Sequence, residues 1–185
     1  MKKTTIYELA AAAVMAAVLC VVAPLSIPIG PIPISLATLV LYLSVHVLRT
    51  RSALISCAVY LALGAFGLPV FSGYAGGIAK LAGPTGGFLV GYLFLVLIAG
   101  LFVWQSTKLE KPVLRMLFSV LGMLLGTAVL YAFGTLWFML QAKAALGYAL
   151  SVCVLPFIPG DLVKIALAAV IGRLVRSALS KAGLL

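Results

Sequence analysis

Residues 86–104 read GGFLVGYLFLVLIAGLFVW, an apolar run that contains no charged side chain. An α-helix rises 1.5 Å per residue, so about 20 apolar residues cross the roughly 30 Å of hydrocarbon in a bilayer. The run has that length, and the glycines at its start and the charged residues soon after it mark its ends. This stretch predicts a membrane-spanning helix.

The rest of the chain has the same character. Of its 185 residues, 65% are hydrophobic and 9% are charged, whereas soluble domains have about 45–50% and about 25%. Six spans of about 20 residues need about 120 residues and leave about 65 for connections. The composition therefore predicts an all-α integral membrane protein, with residues 1–185 forming a single transmembrane domain and no soluble domain.

Breaks at proline, glycine and charged residues divide the chain into predicted helices. Six spanning helices are predicted, at residues 6–23, 35–48, 52–66, 86–104, 112–140 and 161–179. A shorter helix is predicted over residues 144–154. The first run exceeds the 7–15 residues of a signal-peptide core, so we interpret it as a retained helix.

The net charge of +10 reflects the arrangement of the basic residues along the chain. A nucleic-acid binder gathers such residues on one solvated face, whereas ten of the thirteen here fall at alternate ends of the predicted helices. Because basic residues that flank spans are retained in the cytoplasm, both termini are predicted to be cytoplasmic. We therefore expect these basic residues to contact membrane lipid, and we do not expect the protein to bind nucleic acid.

Few residues offer catalytic or metal chemistry. The three cysteines lie inside apolar runs without a CxxC pair, and His46 is the single histidine. GPTGG at residues 83–87 lacks the lysine of a phosphate loop. We interpret it as a helix start whose glycines allow close helix approach, and we do not expect an enzyme.

Two connections on the predicted outer side are rich in proline and glycine. Residues 24–33 read PLSIPIGPIP, and residues 64–87 read GAFGLPVFSGYAGGIAKLAGPTGG. The second contains aliphatic and aromatic residues throughout, which argues against a disordered linker. Irregular backbone at membrane depth needs protein or a watery cavity around it, so this segment is predicted to form the wall or lid of a site.

Asp161 is the one acidic residue away from the predicted cytoplasmic ends, and Lys164 follows it at i+3 on the same helix face. The alternative to a ligand-binding role is a helix N-cap aspartate with a snorkelling lysine. Ionisable residues inside a membrane are costly and commonly functional, which favours ligand binding. Lys80, alone in the long glycine-rich segment, is a second candidate.

Four motifs in this order resemble the BioY family, the biotin-binding membrane subunits of energy-coupling-factor (ECF) transporters. They are PIPISLATL at 31–39, GLPVF at 67–71, GPTGG at 83–87 and LPFIPGDLVK at 155–164. The chain departs from the family where Thr-x-Gln-Thr is common: it has Ser35-Leu36-Ala37-Thr38. An amide contact from position 37 is therefore absent.

The resemblance implies a ligand that suits these side chains. Biotin has a ureido ring with two N–H donors and a carbonyl, an apolar thiophane, and a carboxylate. Asp161 is expected to accept the ureido N–H groups, with Lys164 on the ureido carbonyl and Lys80 on the carboxylate, although the two lysines are interchangeable at this stage. The residues expected along the apolar part are Phe71, Tyr74 and Phe157. No cofactor is implied, since biotin is the transported ligand.

The resemblance also implies partners: a transmembrane coupling subunit and two ATPase subunits. The first helix carries small residues four apart, Ala12 with Ala16 and Ala13 with Ala17. This spacing allows close helix approach in lipid and predicts a docking stripe for the coupling subunit. Packing against another helix of the same chain is the alternative.

Three other functions are weighed against this one. A self-sufficient secondary carrier needs an ion site between repeats, and no internal repeat or second deep acid is evident. An intramembrane enzyme needs a nucleophile and base that the sequence does not pair. A related subunit of the same fold that binds another vitamin is the third alternative. Identifying the bound vitamin distinguishes it from a biotin-binding subunit.

Overall fold

The computed structural model describes residues 3–28 and 31–182. The elements in chain order are α1 (Lys3–Val22), β1 (Ser26–Ile27), β2 (Ile34–Ser35), α2 (Ala37–Val47), α3 (Thr50–Ala65), α4 (Ile78–Ala82), α5 (Gly86–Ser106), α6 (Pro112–Ala142), α7 (Leu146–Cys153) and α8 (Phe157–Lys181). Every predicted helix is present, with its ends within a few residues of the prediction. The short helix α4 inside the glycine-rich segment was not predicted.

The start of α8 corrects one interpretation of Asp161. The helix begins at Phe157 with Pro156 at the N-cap position, so Asp161 lies in the second turn and is not a cap. Pro159 is tolerated in the first turn because its missing N–H has no partner there in any helix. Asp161 therefore presents its carboxylate to neighbouring helices.

The helices differ in their ability to cross a bilayer. Within the described residues α5 and α6 are long and apolar enough, and α7 with α8, bent by 42°, makes a third such span if the pair is counted as one. At 11 residues, α2 is only about 16 Å long, which suits a helix buried among others. Six spans and cytoplasmic termini stay predictions, and residues 1–2 and 183–185 lie outside the described residues.

The packing places α2 at the centre of the bundle. It contacts α8, α5, α1 and α3, while α5 and α6 pack along each other over the longest interface. The α5–α6 backbones meet at Gly126, where an added Cβ would lie 3.0 Å from the Leu95 carbonyl oxygen. At Gly87 an added Cβ would overlap the side chain of Trp137 on α6, which confirms the predicted close approach at the start of α5.

Burial divides the four alanines of the predicted docking stripe on α1. Ala12 and Ala16 are 4% and 3% exposed and belong to the core, whereas Ala13 and Ala17 are exposed. Successive residues of a helix lie about 100° apart, so the two pairs occupy different faces. The prediction is corrected for Ala12 and Ala16, which pack inside the chain's own bundle; the available face is that of Ala13 and Ala17.

Candidate ligand-binding site

The site begins where the chain enters α2. The β1–β2 pair joins Ser26 to Ser35 and closes the proline-rich connection back onto itself. The Ser35 hydroxyl donates to the Ala23 carbonyl over 2.8 Å and accepts the Ala37 N–H over 3.0 Å. These bonds hold the first turn of α2, and Thr38 within that turn faces α8.

Asp161 and Lys164 form a buried ion pair at this point, with 2.9 Å between Nζ and Oδ1. Asp161 is 3% exposed and Lys164 is 7% exposed. The Thr38 hydroxyl donates to Oδ1 of Asp161 over 3.1 Å, and the Tyr131 hydroxyl of α6 donates to Oδ2 over 2.6 Å. Three helices therefore meet in one hydrogen-bond network.

Asp161 and Lys164 differ in how much of their hydrogen-bonding capacity is already occupied. Lys164 Nζ donates to the Ser35 carbonyl over 2.7 Å, to the Thr38 hydroxyl over 3.1 Å and to Asp161. An ammonium has three donors, so Lys164 has none to spare. A carboxylate offers about four acceptor positions, and Asp161 has three occupied among the described residues. Asp161 is the member of the pair that retains capacity for a ligand donor.

Thr38 and Tyr131 were not predicted as site residues. Thr38 lies within the motif at residues 31–39, and its position there could have indicated a role in the site. Tyr131 occurs in a long apolar helix, and a tyrosine hydroxyl there needs a polar partner, which is a weaker signal. Neither signal shows that the hydroxyl binds Asp161. Thr38, for example, lies 123 positions from Asp161 in the sequence.

The network lines one side of a cavity of about 50 Å³. Three other residues predicted for ligand binding, Lys80, Phe71 and Phe157, line the same cavity, together with residues from α5. The additional lining residues that bear hydroxyls or aromatic rings are Ser72, Thr85, Phe88 and Tyr92. The segment at residues 64–87 thus forms one wall, as its composition predicted.

Lys80 differs from Lys164 in its surroundings. It lies on α4, half-buried at the cavity wall, and within the described ranges it makes no ion pair. Its ammonium is therefore the one in this cavity that is not already neutralised. This difference separates the two lysines, which the sequence left interchangeable.

Tyr74, which was predicted to contact the ligand, lies outside the cavity. Phe71 and Ala75 form an isolated bridge, and the turn between them places Tyr74 at its tip with φ 57°. Phe71 points inward, fully buried, and packs edge-to-face on Tyr60 with 5.6 Å between ring centroids. Tyr74 is 64% exposed and is not among the cavity-lining residues.

The departure from the family pattern at position 37 falls away from the cavity. Ala37 is fully buried in the core, while the neighbouring positions that line the cavity, Ser35 and Thr38, both carry hydroxyls. The replacement at position 37 therefore leaves the hydrogen bonds to Asp161 and Lys164 in place.

The fold and the site define a multi-pass helical membrane protein with a small cavity between its helices, which is lined by apolar side chains and by one buried ion pair. Comparison with known proteins identifies the group. The model of the BioY family matches residues 1–181, and the chain belongs to that family.

Several relatives match this chain in sequence over nearly its full length. The chain is 35% identical to biotin transporter BioY2 of Lactococcus lactis subsp. cremoris, covering 97% of this chain and 96% of the relative. It is 35% identical to biotin transporter BioY of Thermotoga maritima, covering 89% and 92%. A crystal structure of the S-component for biotin from an ECF-type ABC transporter matches with a TM-score of 0.84 and 30% identity, covering 96% of this chain and 94% of that one.

Proposed function

We propose that the chain binds biotin in the cavity at Asp161 and serves its uptake across the cell membrane. The observation that carries this proposal is the buried carboxylate of Asp161, oriented by Thr38 and Tyr131 and retaining one acceptor position. The names of its relatives, which are biotin transporters, support the same ligand. They also agree with the expectation that the chain is not an enzyme.

The three parts of biotin correspond to three parts of the cavity. A ureido N–H donates to the remaining acceptor position of Asp161, in a charge-assisted bond that is strong away from water. The thiophane and aliphatic chain lie against Phe71 and Phe157. The carboxylate pairs with Lys80, and Lys164 reaches the ureido carbonyl only by exchanging one of its present bonds.

Binding in this position requires the cavity to widen. Sites for small organic ligands have volumes of about 300–1,000 Å³, against about 50 Å³ here. The wall that carries Phe71 and Lys80 is joined to the bundle by a short turn and a short helix, so we expect it to move outward. A change in amide exchange across residues 71–82 when biotin is added would report this movement.

The direct test is the identity and affinity of the ligand. We expect mass spectrometry of the gently purified protein to release biotin, and calorimetry to give tight binding that dethiobiotin partly retains, since its ureido ring is intact. Release of another vitamin, with no heat from biotin, would assign the cavity to that vitamin.

We further propose that the chain acts as the S-component of an ECF transporter, with a transmembrane coupling subunit and two ATPase subunits as partners. The match to a crystallised S-component of an ECF-type ABC transporter supports this assembly. The exposed face of Ala13 and Ala17 on α1 allows a partner helix to approach closely. Energy for uptake then comes from the ATPases.

Two matched substitutions test the docking face. Ala13→Trp adds bulk to the exposed face and should leave biotin binding intact while abolishing association with the coupling subunit and ATP-driven uptake. Ala12→Trp, one position away, adds the same bulk to the core and should impair folding itself. Biotin accumulation against a gradient in liposomes that contain this chain alone would instead make it a self-sufficient carrier.

A further inference from the structure

A second cavity, of about 420 Å³, lies at the opposite end of the same helices. It is lined by the ends of α2, α5, α6 and α8, with Arg115 from α6 and Arg173, Arg176 and Lys181 from α8. His46 at the end of α2 forms part of its wall. We call it the Arg173 cavity.

The charge of the Arg173 cavity is of one sign. Four basic side chains line it, and no carboxylate is among its lining residues in the described part of the chain. The chain has three acidic residues, and two of them are engaged elsewhere, Glu8 with Arg49 and Asp161 with Lys164. The third, Glu110, is exposed in the connection between α5 and α6 and is not among the lining residues. Four cations around one concavity attract an anion from outside the chain.

The arginines are held in position by the backbone. Arg173 donates to the Pro112 carbonyl over 3.0 Å, Arg176 to the His46 carbonyl over 3.2 Å, and Arg115 to the Leu109 carbonyl over 2.5 Å. A guanidinium has five N–H donors, so one such bond orients the group and leaves others for a ligand. Arginines in fixed orientation match the oxygens of a phosphate group.

Apolar surface adjoins these charges. Val113 and Leu114 on α6 and Leu174 on α8 are exposed, and each is the sequence neighbour of a residue that lines the cavity. Exposed aliphatic side chains of a membrane protein contact acyl chains, so a headgroup held by the arginines leaves its chains beside compatible surface. Basic pockets between helices at the cytoplasmic side of a membrane have this arrangement.

We propose that the Arg173 cavity binds an anionic phosphate group, the headgroup of an acidic phospholipid or free phosphate. The Arg173 cavity lies at the opposite end of the helices from the cavity at Asp161, which we call the Asp161 cavity. Binding of phosphate in the Arg173 cavity does not require biotin. A phosphate there neutralises arginines that otherwise repel one another, so occupancy stabilises the fold.

The experiment measures thermal unfolding of the full chain, freed of lipid in a neutral detergent. The probes are dioctanoyl phosphatidic acid, dioctanoyl phosphatidylcholine and inorganic phosphate. Each variant is compared with its own midpoint without added probe. At saturating phosphatidic acid we expect a rise of about 5 °C or more for the wild-type chain, and little change with phosphatidylcholine.

Arg173→Gln and Arg115→Gln should each remove most of this rise. The matched control is Arg51→Gln, which removes an exposed arginine outside the cavity and should keep it. A rise with inorganic phosphate that also depends on Arg173 would identify free phosphate as the ligand. An equal rise with phosphatidylcholine, or equal rises in the Arg173 and Arg51 variants, would overturn the proposal.

Discussion

The two cavities lie at opposite ends of the same four helices, α2, α5, α6 and α8, and they differ in how their charges are balanced. In the Asp161 cavity, Asp161 and Lys164 neutralise each other and are almost fully buried. In the Arg173 cavity the cations are more exposed and no acid accompanies them among the described residues. The difference follows burial: the two almost fully buried charges, Asp161 and Lys164, form a pair, whereas Lys80 and the cations of the Arg173 cavity retain more solvent exposure, because an unpaired buried charge is far more costly than an exposed one.

The largest effect is expected from breaking the pair. Asp161→Asn leaves the Lys164 ammonium buried without a counter-charge, which costs about 3–5 kcal/mol of folding stability. The loss of a charged acceptor should raise the dissociation constant for biotin by about 30-fold to several thousand-fold. Thermal unfolding and calorimetry measure the two quantities. Glu8→Gln, which breaks the exposed pair with Arg49, is the control, and unchanged affinity in Asp161→Asn would reject the ureido assignment.

Removing both charges separates stability from binding. Lys164→Ala should weaken biotin binding within the same range as Asp161→Asn, because Asp161 loses its partner. The double variant Asp161→Asn/Lys164→Met buries no charge and should recover much of the lost stability. It should not recover biotin affinity. Recovery of both in the same calorimetric and unfolding measurements would mean that the ion pair has no role in the ligand contact.

A smaller effect is expected from Tyr131→Phe. This change deletes the hydroxyl that donates to Oδ2 of Asp161, a bond to a charged group worth about 1.5–3 kcal/mol. Chemical unfolding should show a loss of that size, whereas Tyr148→Phe, at an exposed position, should change little. Indistinguishable results for the two variants would remove Tyr131 from the network.

Lys80→Ala tests the half-buried lysine against its proposed partner. A partly exposed ion pair contributes about 0.5–1 kcal/mol, so biotin affinity should fall about two- to fivefold. Biotin amide, which lacks the carboxylate charge, should bind the variant and the wild-type chain almost equally. Equal losses for both ligands in calorimetry would reject the pairing of Lys80 with the carboxylate.

The smallest effect tests the separation of the two ends. Arg173 follows Asp161 on α8 by about 18 Å of helix, and the charge of Asp161 is already neutralised by Lys164. Arg173→Gln should therefore change biotin affinity by less than about twofold, while Asp161→Asn should leave the response to phosphatidic acid in place. A tenfold change in either cross-measurement would show that the two cavities are coupled.

The helices and their approximate limits follow from the amino-acid sequence alone. Lipid leaves no partner for free backbone groups, so an apolar run long enough to enter the bilayer must be helical. The run at residues 86–104 became α5, and the motif at residues 155–164 placed Asp161 and Lys164 on one face of α8. These outcomes depend on local pattern, which the sequence contains.

Which helix faces meet depends on packing between segments that are distant in the sequence. That packing joined Thr38 and Tyr131 to Asp161, turned Tyr74 outward, and placed Ala12 in the core while Ala13 stayed exposed. In an apolar helix the hydrophobic side chains surround the axis, so the pattern does not mark the face that will be buried. That choice is made by close contacts such as Gly126 on Leu95 and by the hydrogen bonds of buried polar groups, both of which form only between segments distant in sequence.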